Sequence, residues 1–196
     1  MLSAVEAKAL NNYKKNMEII KTEIPDLLIL KPKVFEDERG YFFESYNEKN
    51  LADYGIQIQF VQDNQSKSSF GVIRGLHYQL DPYSQTKLIR VLEGEILDVG
   101  VDIRKNSLTF GKWYSHKLSA ENKQQMLVPA GFAHGFSVLS KIAVVFYKCD
   151  KLYHPDSERG ILYNDPELNI DWNIEPEKAI ISAKDKHQPS FKEFEV

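Results

Sequence analysis

The stretch Lys87-Leu88-Ile89-Arg90-Val91-Leu92-Glu93-Gly94-Glu95-Ile96-Leu97-Asp98-Val99-Gly100-Val101-Asp102-Ile103 decides the fold class. It contains two apolar-rich runs, Lys87 to Leu92 and Glu95 to Ile103, on either side of a tight turn at Glu93-Gly94. Successive side chains of a strand point to opposite faces, so the second run sends Leu97, Val99, Val101 and Ile103 to one side. The first run sends Lys87, Ile89 and Val91 to one face, which places a lysine where apolar residues point.

The same signature recurs in both directions along the chain. Ile19-Ile20 and Leu27-Leu28-Ile29-Leu30 flank Ile24-Pro25-Asp26, and Tyr41 to Ser45 follows Pro32 and Asp37-Glu38-Arg39-Gly40. Gln57 to Gln62 alternates, with Ile56, Ile58 and Phe60 on one face. Further strand-like runs lie at Trp113 to Leu118, Met126 to Val128, Phe136 to Leu139 and Ala143 to Lys148. In this middle region only Glu48 to Tyr54, closed by Gly55, reads as a helix. Residues 4–16 read as a short polar helix appended to the rest. From Asp165 onward the chain is looser, with Pro166, Pro176 and Pro189, and reads as short helices wrapped on the outside. Many short strands at this spacing predict an all-β sandwich or barrel in one domain, residues 18–196, behind an extension of residues 1–17.

Composition narrows the function classes. The 196 residues carry a net charge of −3, so no basic excess argues for nucleic acid. Cys149 is the single cysteine, cannot form an internal disulfide and agrees with a reducing compartment. The first residues lack the apolar run of a signal peptide, and no stretch is long enough to cross a bilayer as a helix. The expectation is a cytoplasmic protein that binds neither membrane nor nucleic acid.

Two clusters could carry chemistry. In Arg74-Gly75-Leu76-His77-Tyr78-Gln79, polar groups sit inside apolar sequence, and Lys87 follows ten residues after His77. A lysine facing a barrel interior is costly without a partner or ligand. The plainer alternative is a strand-end lysine reaching solvent, which spacing alone favours. The second cluster, Pro129-Ala130-Gly131-Phe132-Ala133-His134-Gly135-Phe136, presents His134 at the start of a strand after a Pro/Gly turn. Taken alone, His134 reads as a structural histidine.

The cupin metal site, as that superfamily is known, uses a His-x-His-x(3–4)-Glu run and a Pro-x-Gly-x-x-His run. This chain resembles the layout at His77 and His134, but Gln79 stands in place of the second histidine and the acidic position is lost. Lys87 would bring an ammonium instead, which opposes a divalent cation, so no metal and no cofactor are expected. Without metal, His77 can take a proton from carbon beside a carbonyl, while Lys87 steadies the enolate oxygen. Tyr147, on the apolar strand Val144 to Lys148, can return a proton from the other side. A buried structural tyrosine is the commoner alternative there. Asp185 reads locally as a surface residue.

Several long motifs in order resemble the dTDP-4-dehydrorhamnose 3,5-epimerase family of the cupin superfamily. They are Phe35 to Ser45, Phe60-Val61-Gln62-Asp63-Asn64, Arg74 to Gln79, Gly94-Glu95 through Lys105, Leu118 to Asn122, and Pro129 to Phe136. The resemblance implies a cupin-type jelly roll with a few short flanking helices. It also implies a dTDP-4-keto-6-deoxy sugar substrate and a homodimer. By position, His77 is then the base, Tyr147 the opposing acid, Asp185 the group that orients His77, and Lys87 the neighbour of the keto oxygen. Arg74 and His134 match the sugar and diphosphate site. Arg39, Glu44, Gln62, Asp63 and Asn64 match nucleotide-binding stretches, some acting across a dimer interface, and Glu158 and Lys184 match further binding positions. The departures (Gln65, Thr86, Leu108 and Tyr163) remove no catalytic group. A 3-epimerase, an epimerase of another nucleotide-linked sugar, a metal-dependent cupin oxygenase and a non-catalytic sugar-nucleotide binding module remain as alternatives.

Overall fold

The computed structural model describes residues 17–194. The helix expected over residues 4–16 lies outside them. The strands β1 (Met17–Lys21), β2 (Leu28–Pro32), β5 (Gln62–Ser69), β7 (Lys87–Glu93), β10 (Gln125–Val128) and β12 (Ile142–Cys149) form one six-stranded sheet in the order β1-β2-β10-β7-β12-β5. A second sheet runs β13-β6-β11-β8-β9, from β6 (Val72–Gln79), β8 (Glu95–Asp102), β9 (Trp113–Ser119), β11 (Phe132–Val138) and β13 (Glu158–Gly160). A short β14 (Ile180–Ile181) adds to β6 in parallel, and every other pairing is antiparallel. The two sheets face each other as a cupin-like jelly roll, so the expected fold class holds.

The turn that decided the sequence reading joins the two sheets. β7 and β8 are consecutive but belong to different sheets, and Gly94 carries the chain between them. Gly94 has φ +79, and a Cβ there would lie 2.0 Å from the Ile142 carbonyl oxygen. Only glycine fits that crossing.

Burial on both faces of each sheet produces three apolar clusters. Between the sheets, Ile89, Val91, Ile96, Met126, Phe132, Phe136 and Val145 pack together. Leu97, Val99, Val101 and Ile103 do share one face, as alternation requires, but it is the outer face of the second sheet. There Ile161, Leu168, Ile170 and Trp172 of the C-terminal segment cover them. The third cluster lies outside the first sheet, where Leu51 of α1 (Glu48–Asp53) packs on Leu30, Leu88 and Leu127. Asn47 caps α1 by accepting from the Asn50 N–H, as its position before the helix predicts.

Several element boundaries differ from expectation. Gln57 to Phe60 forms no strand. Ile56, Ile58 and Phe60 share a face because they pack as a loop on the third cluster, and ladder pairing begins only at Gln62. Tyr41 to Ser45 shortens to β4 (Gly40–Phe42), which pairs only with β3 (Phe35–Asp37) in a separate hairpin. Strand β11 begins four residues before the expected Phe136, so His134 lies within it. The tail contributes β14 and the single-turn helix α2 (Ala183–Lys186), and β13 precedes it.

Candidate active site

Alternation on the first sheet delivers one set of polar groups to the space between the sheets. On β7, Lys87 shares its face with Ile89 and Val91, both in the inter-sheet core. On β12, Tyr147 follows Ala143 and Val145 on that face and packs against the same core. On β5, Gln62 and Asn64 point inward and are joined by a 3.0 Å hydrogen bond from Gln62 Nε2. Asp63 does not join them. Its position between the two sends it outward, where its carboxylate accepts from Lys148 at 2.8 Å.

The second sheet needs an irregularity to do the same. Arg74 and His77 are three residues apart, so strict alternation would separate them. Opposite them, Phe136 pairs with Arg74 and His134 with His77, a register shift that leaves one extra residue on β6. This bulge turns both side chains to the face toward the first sheet, where His77 is half-buried and Arg74 remains exposed. Gly75 sits within it at φ +125, and a Cβ there would lie 2.6 Å from Gly135 Cα. Arg74 then reaches across to the first sheet, and its Nε donates to Ser68 Oγ at 3.0 Å.

His77 Nε2 lies 2.7 Å from Asp185 Oδ1. Asp185 is buried, contrary to its local reading as a surface residue. Ser182 caps α2 by accepting from the Asp185 N–H at 3.0 Å, which turns the carboxylate toward β6. Its second oxygen accepts from the Gly75 N–H at 3.4 Å. Burial opposes the charge on Asp185, yet the bonds from His77, Gly75 and Ser182 outweigh it and hold the carboxyl below its ordinary range. A carboxylate on Nε2 fixes the tautomer, so Nδ1 carries the lone pair. His134, opposite His77 in register, has its own carboxylate: Nε2 lies 2.8 Å from Asp98 Oδ1, with both side chains buried. Asp98 is not among the candidates of the sequence analysis, and its alternation with the outward Leu97 and Val99 turns it inward.

The groups enclose a cavity of about 210 Å³ lined by Gln62, Asn64, His77, Tyr78, Gln79, Gln85, Lys87, Tyr147, Tyr153 and Glu158. Burial pulls the Lys87 ammonium below the ordinary lysine value, against the opposing pull of Cys149, Asp98 and Glu158. Burial pushes the Tyr147 phenol up, reinforced by Cys149 and Glu158 and opposed by Arg74. At the rim, Glu158 accepts from Tyr153 Oη at 2.8 Å and pairs with Lys184, and these contacts hold its carboxyl low despite burial. Tyr153 and Gln85 carry no sequence signal, since both lie in loops.

Arg39, Glu44, Asp63 and Lys184 are not brought to the cavity, and Arg74 and His134 are not among its lining residues. Arg39 is exposed at the β3–β4 hairpin, where it pairs with Asp37. Glu44 accepts from the Asn47 and Asn50 side chains beside α1. Lys184 stays at the surface and reaches the site through Glu158.

Comparison with known proteins places the chain in a family. The family model described as dTDP-4-dehydrorhamnose 3,5-epimerase matches residues 21–193. The chain belongs to that family. A dTDP-4-dehydrorhamnose 3,5-epimerase of Shigella flexneri is 54% identical over 176 residues, covering 89% of this chain and 96% of the relative. The crystal structure of a dTDP-6-deoxy-D-glucose-3,5-epimerase from Legionella pneumophila, in complex with dTDP-4-keto-L-rhamnose, superposes with a TM-score of 0.88 at 49% identity. It covers 91% of this chain and 95% of its own. A 3'-monoepimerase from Streptomyces bikiniensis in complex with dTDP-quinovose is more distant, at TM-score 0.80 and 30% identity over 86% of this chain and 85% of its own. The family match spans residues 21–193, which include His77, Lys87 and Tyr147.

Proposed function

We propose that this member of the 3,5-epimerase family inverts C3 and C5 of dTDP-4-keto-6-deoxy-D-glucose, giving dTDP-4-keto-L-rhamnose for L-rhamnose synthesis. The observation that carries the reading is the His77–Asp185 pair, which shares one cavity with Lys87 and Tyr147. Nδ1 of His77 takes the proton from the carbon beside the C4 ketone. Asp185 stabilises the imidazolium that forms, as a buried carboxylate does behind other catalytic histidines. Charge moves to the ketone oxygen, where the Lys87 ammonium stabilises it. Tyr147, kept protonated by burial, returns a proton to the opposite face of the carbon. His77 then loses its proton to solvent and Tyr147 regains one, and a second round at the other carbon flanking the ketone completes the double inversion.

Size divides the substrate. Pockets that bury drug-sized ligands run to about 300–1,000 Å³, so a cavity of about 210 Å³ suits the sugar ring and leaves the nucleotide at the rim. Arg74 and His134 serve the sugar and diphosphate, Gln62 and Asn64 the nucleotide side, with Glu158 and Lys184 at the edge. Asp63 falls outside this set because of its outward pairing.

Arg39 and Glu44 enter through a second copy. The β3–β4 hairpin leaves Tyr41 60% and Phe42 70% exposed, and a two-stranded hairpin is marginal alone. A homodimer that covers these rings would bring Arg39 toward its partner's site. The single buried Cys149 fits a cytoplasmic enzyme. Among the described residues, no helix is long and apolar enough to cross a membrane.

The decisive assay supplies the keto sugar, the purified protein and an NADPH-dependent 4-keto reductase. Formation of dTDP-L-rhamnose supports the reading, and a product inverted at C3 alone replaces it with mono-epimerisation.

A further inference from the structure

We propose that Gln79 is a positioning residue that holds the two rim loops in the geometry receiving the nucleotide end of the substrate. The proposal rests on the epimerase reading above. Gln79 closes β6, is buried and lines the cavity, and its carboxamide is bonded to backbone groups of the two loops. Its Nε2 donates to the Tyr83 carbonyl at 2.7 Å and to the Leu152 carbonyl at 3.4 Å. Its Oε1 accepts from the His154 N–H at 2.8 Å. Tyr83 belongs to the loop after β6, and Leu152 and His154 to the loop after β12. One side chain therefore bonds three backbone groups on two loops.

These loops carry Gln85 and Tyr153 to the mouth of the cavity, and the second leads into Glu158. Other bonds join the same loops: Gln85 Nε2 donates to the Lys151 carbonyl at 2.8 Å, and the Leu80 N–H to the Ser157 carbonyl at 2.9 Å. Lys151 Nζ donates to the Pro82 carbonyl at 2.6 Å, and the Tyr83 and His154 rings stack at 3.7 Å. Tyr153 is then tied to the inner wall, because its N–H donates to Gln62 Oε1 at 2.8 Å. A carboxamide suits the central place because it donates and accepts from one planar group. A carboxylate would face two carbonyl oxygens with no hydrogen to offer, and a thioether would leave all three backbone groups unmet. None of these contacts touches His77, Lys87 or Tyr147, so the effect falls on binding and not on proton transfer.

Steady-state kinetics of Gln79→Met, Lys151→Met and wild type with the keto sugar nucleotide test this, with thermal melts alongside. Gln79→Met should raise KM about tenfold while kcat changes less than about threefold, and Lys151→Met should raise KM about twofold. A folded Gln79→Met with unchanged KM, or with kcat lost and KM unmoved, overturns the positioning role. If Gln79→Met does not fold, the surface variant decides: a KM equal to wild type overturns the proposal. Absence of turnover by wild type would instead overturn the epimerase reading and this proposal with it.

Discussion

His77 and Asp185 stand 108 residues apart in the chain and share a 2.7 Å contact between Nε2 and Oδ1. The contact exists because Ser182 caps the single turn of α2 and β14 lays the preceding residues along β6. Asp185→Asn keeps the shape but presents a neutral group to the imidazolium. The expected result is a kcat lowered about 10²–10⁴-fold with little change in KM, by analogy with the loss of a carboxylate behind other catalytic histidines. Stopped assays at saturating substrate would measure it.

Tyr147→Phe removes the acid and leaves the base. Proton removal by His77 continues, so solvent exchange without inversion should persist while epimerised product forms about 10²-fold more slowly or less. Exchange and inversion falling together would show that one residue serves both steps.

Lys87 gives a pH dependence with a defined sign. Its ammonium is the active form, and burial lowers its pKa from the ordinary lysine value. Activity should therefore fall on the alkaline side before pH reaches about 10.4, the unperturbed lysine value. Lys87→Met should cost about 10²–10³ in kcat, the loss typical of one oxyanion donor, and flatten that alkaline limb. Lys87→Arg should not restore the rate, because a planar guanidinium does not fill the place of a compact ammonium.

Stability in acid should track Asp102, which is buried at the far end of β8. Burial opposes its charge, but Arg104, Ser107 and Thr109 donate to it and the pKa falls from 3.8 to about 2. Because the folded pKa is the lower one, the stabilisation is complete above about pH 3.9 and disappears as pH falls toward 2. The shift corresponds to about 2 kcal/mol. Asp102→Asn should lower the denaturant midpoint at pH 7 and lessen the loss of stability between pH 4 and 2.

Much of this was legible in the sequence, for reasons that particular residues make plain. Lys87 faces the interior because it alternates with Ile89 and Val91, and that alternation is visible in one run of residues. Tyr147 follows from the same rule, whereas His134 lies ahead of the expected strand and is placed only by the earlier start of β11. Asp185 was not legible from its neighbours, since only the fold of the tail brings it to His77. Nor could periodicity place Arg74 and His77 on one face, because a bulge at Gly75 resets the count. Gln57 to Phe60 misled for the opposite reason: a loop lying flat on an apolar surface alternates like a strand without joining one. Asp63 matches the family stretch with its neighbours, yet alternation between Gln62 and Asn64 turns it outward to Lys148.

Nuclear magnetic resonance in deuterated buffer is the sharpest probe of the proton-transfer scheme. With wild-type enzyme and dTDP-4-keto-6-deoxy-D-glucose, deuterium should appear at both C3 and C5 after chelator treatment. His77→Asn should incorporate none above the uncatalysed rate. Undiminished exchange in His77→Asn, or exchange that disappears with the chelator and returns with a transition metal, would contradict the account.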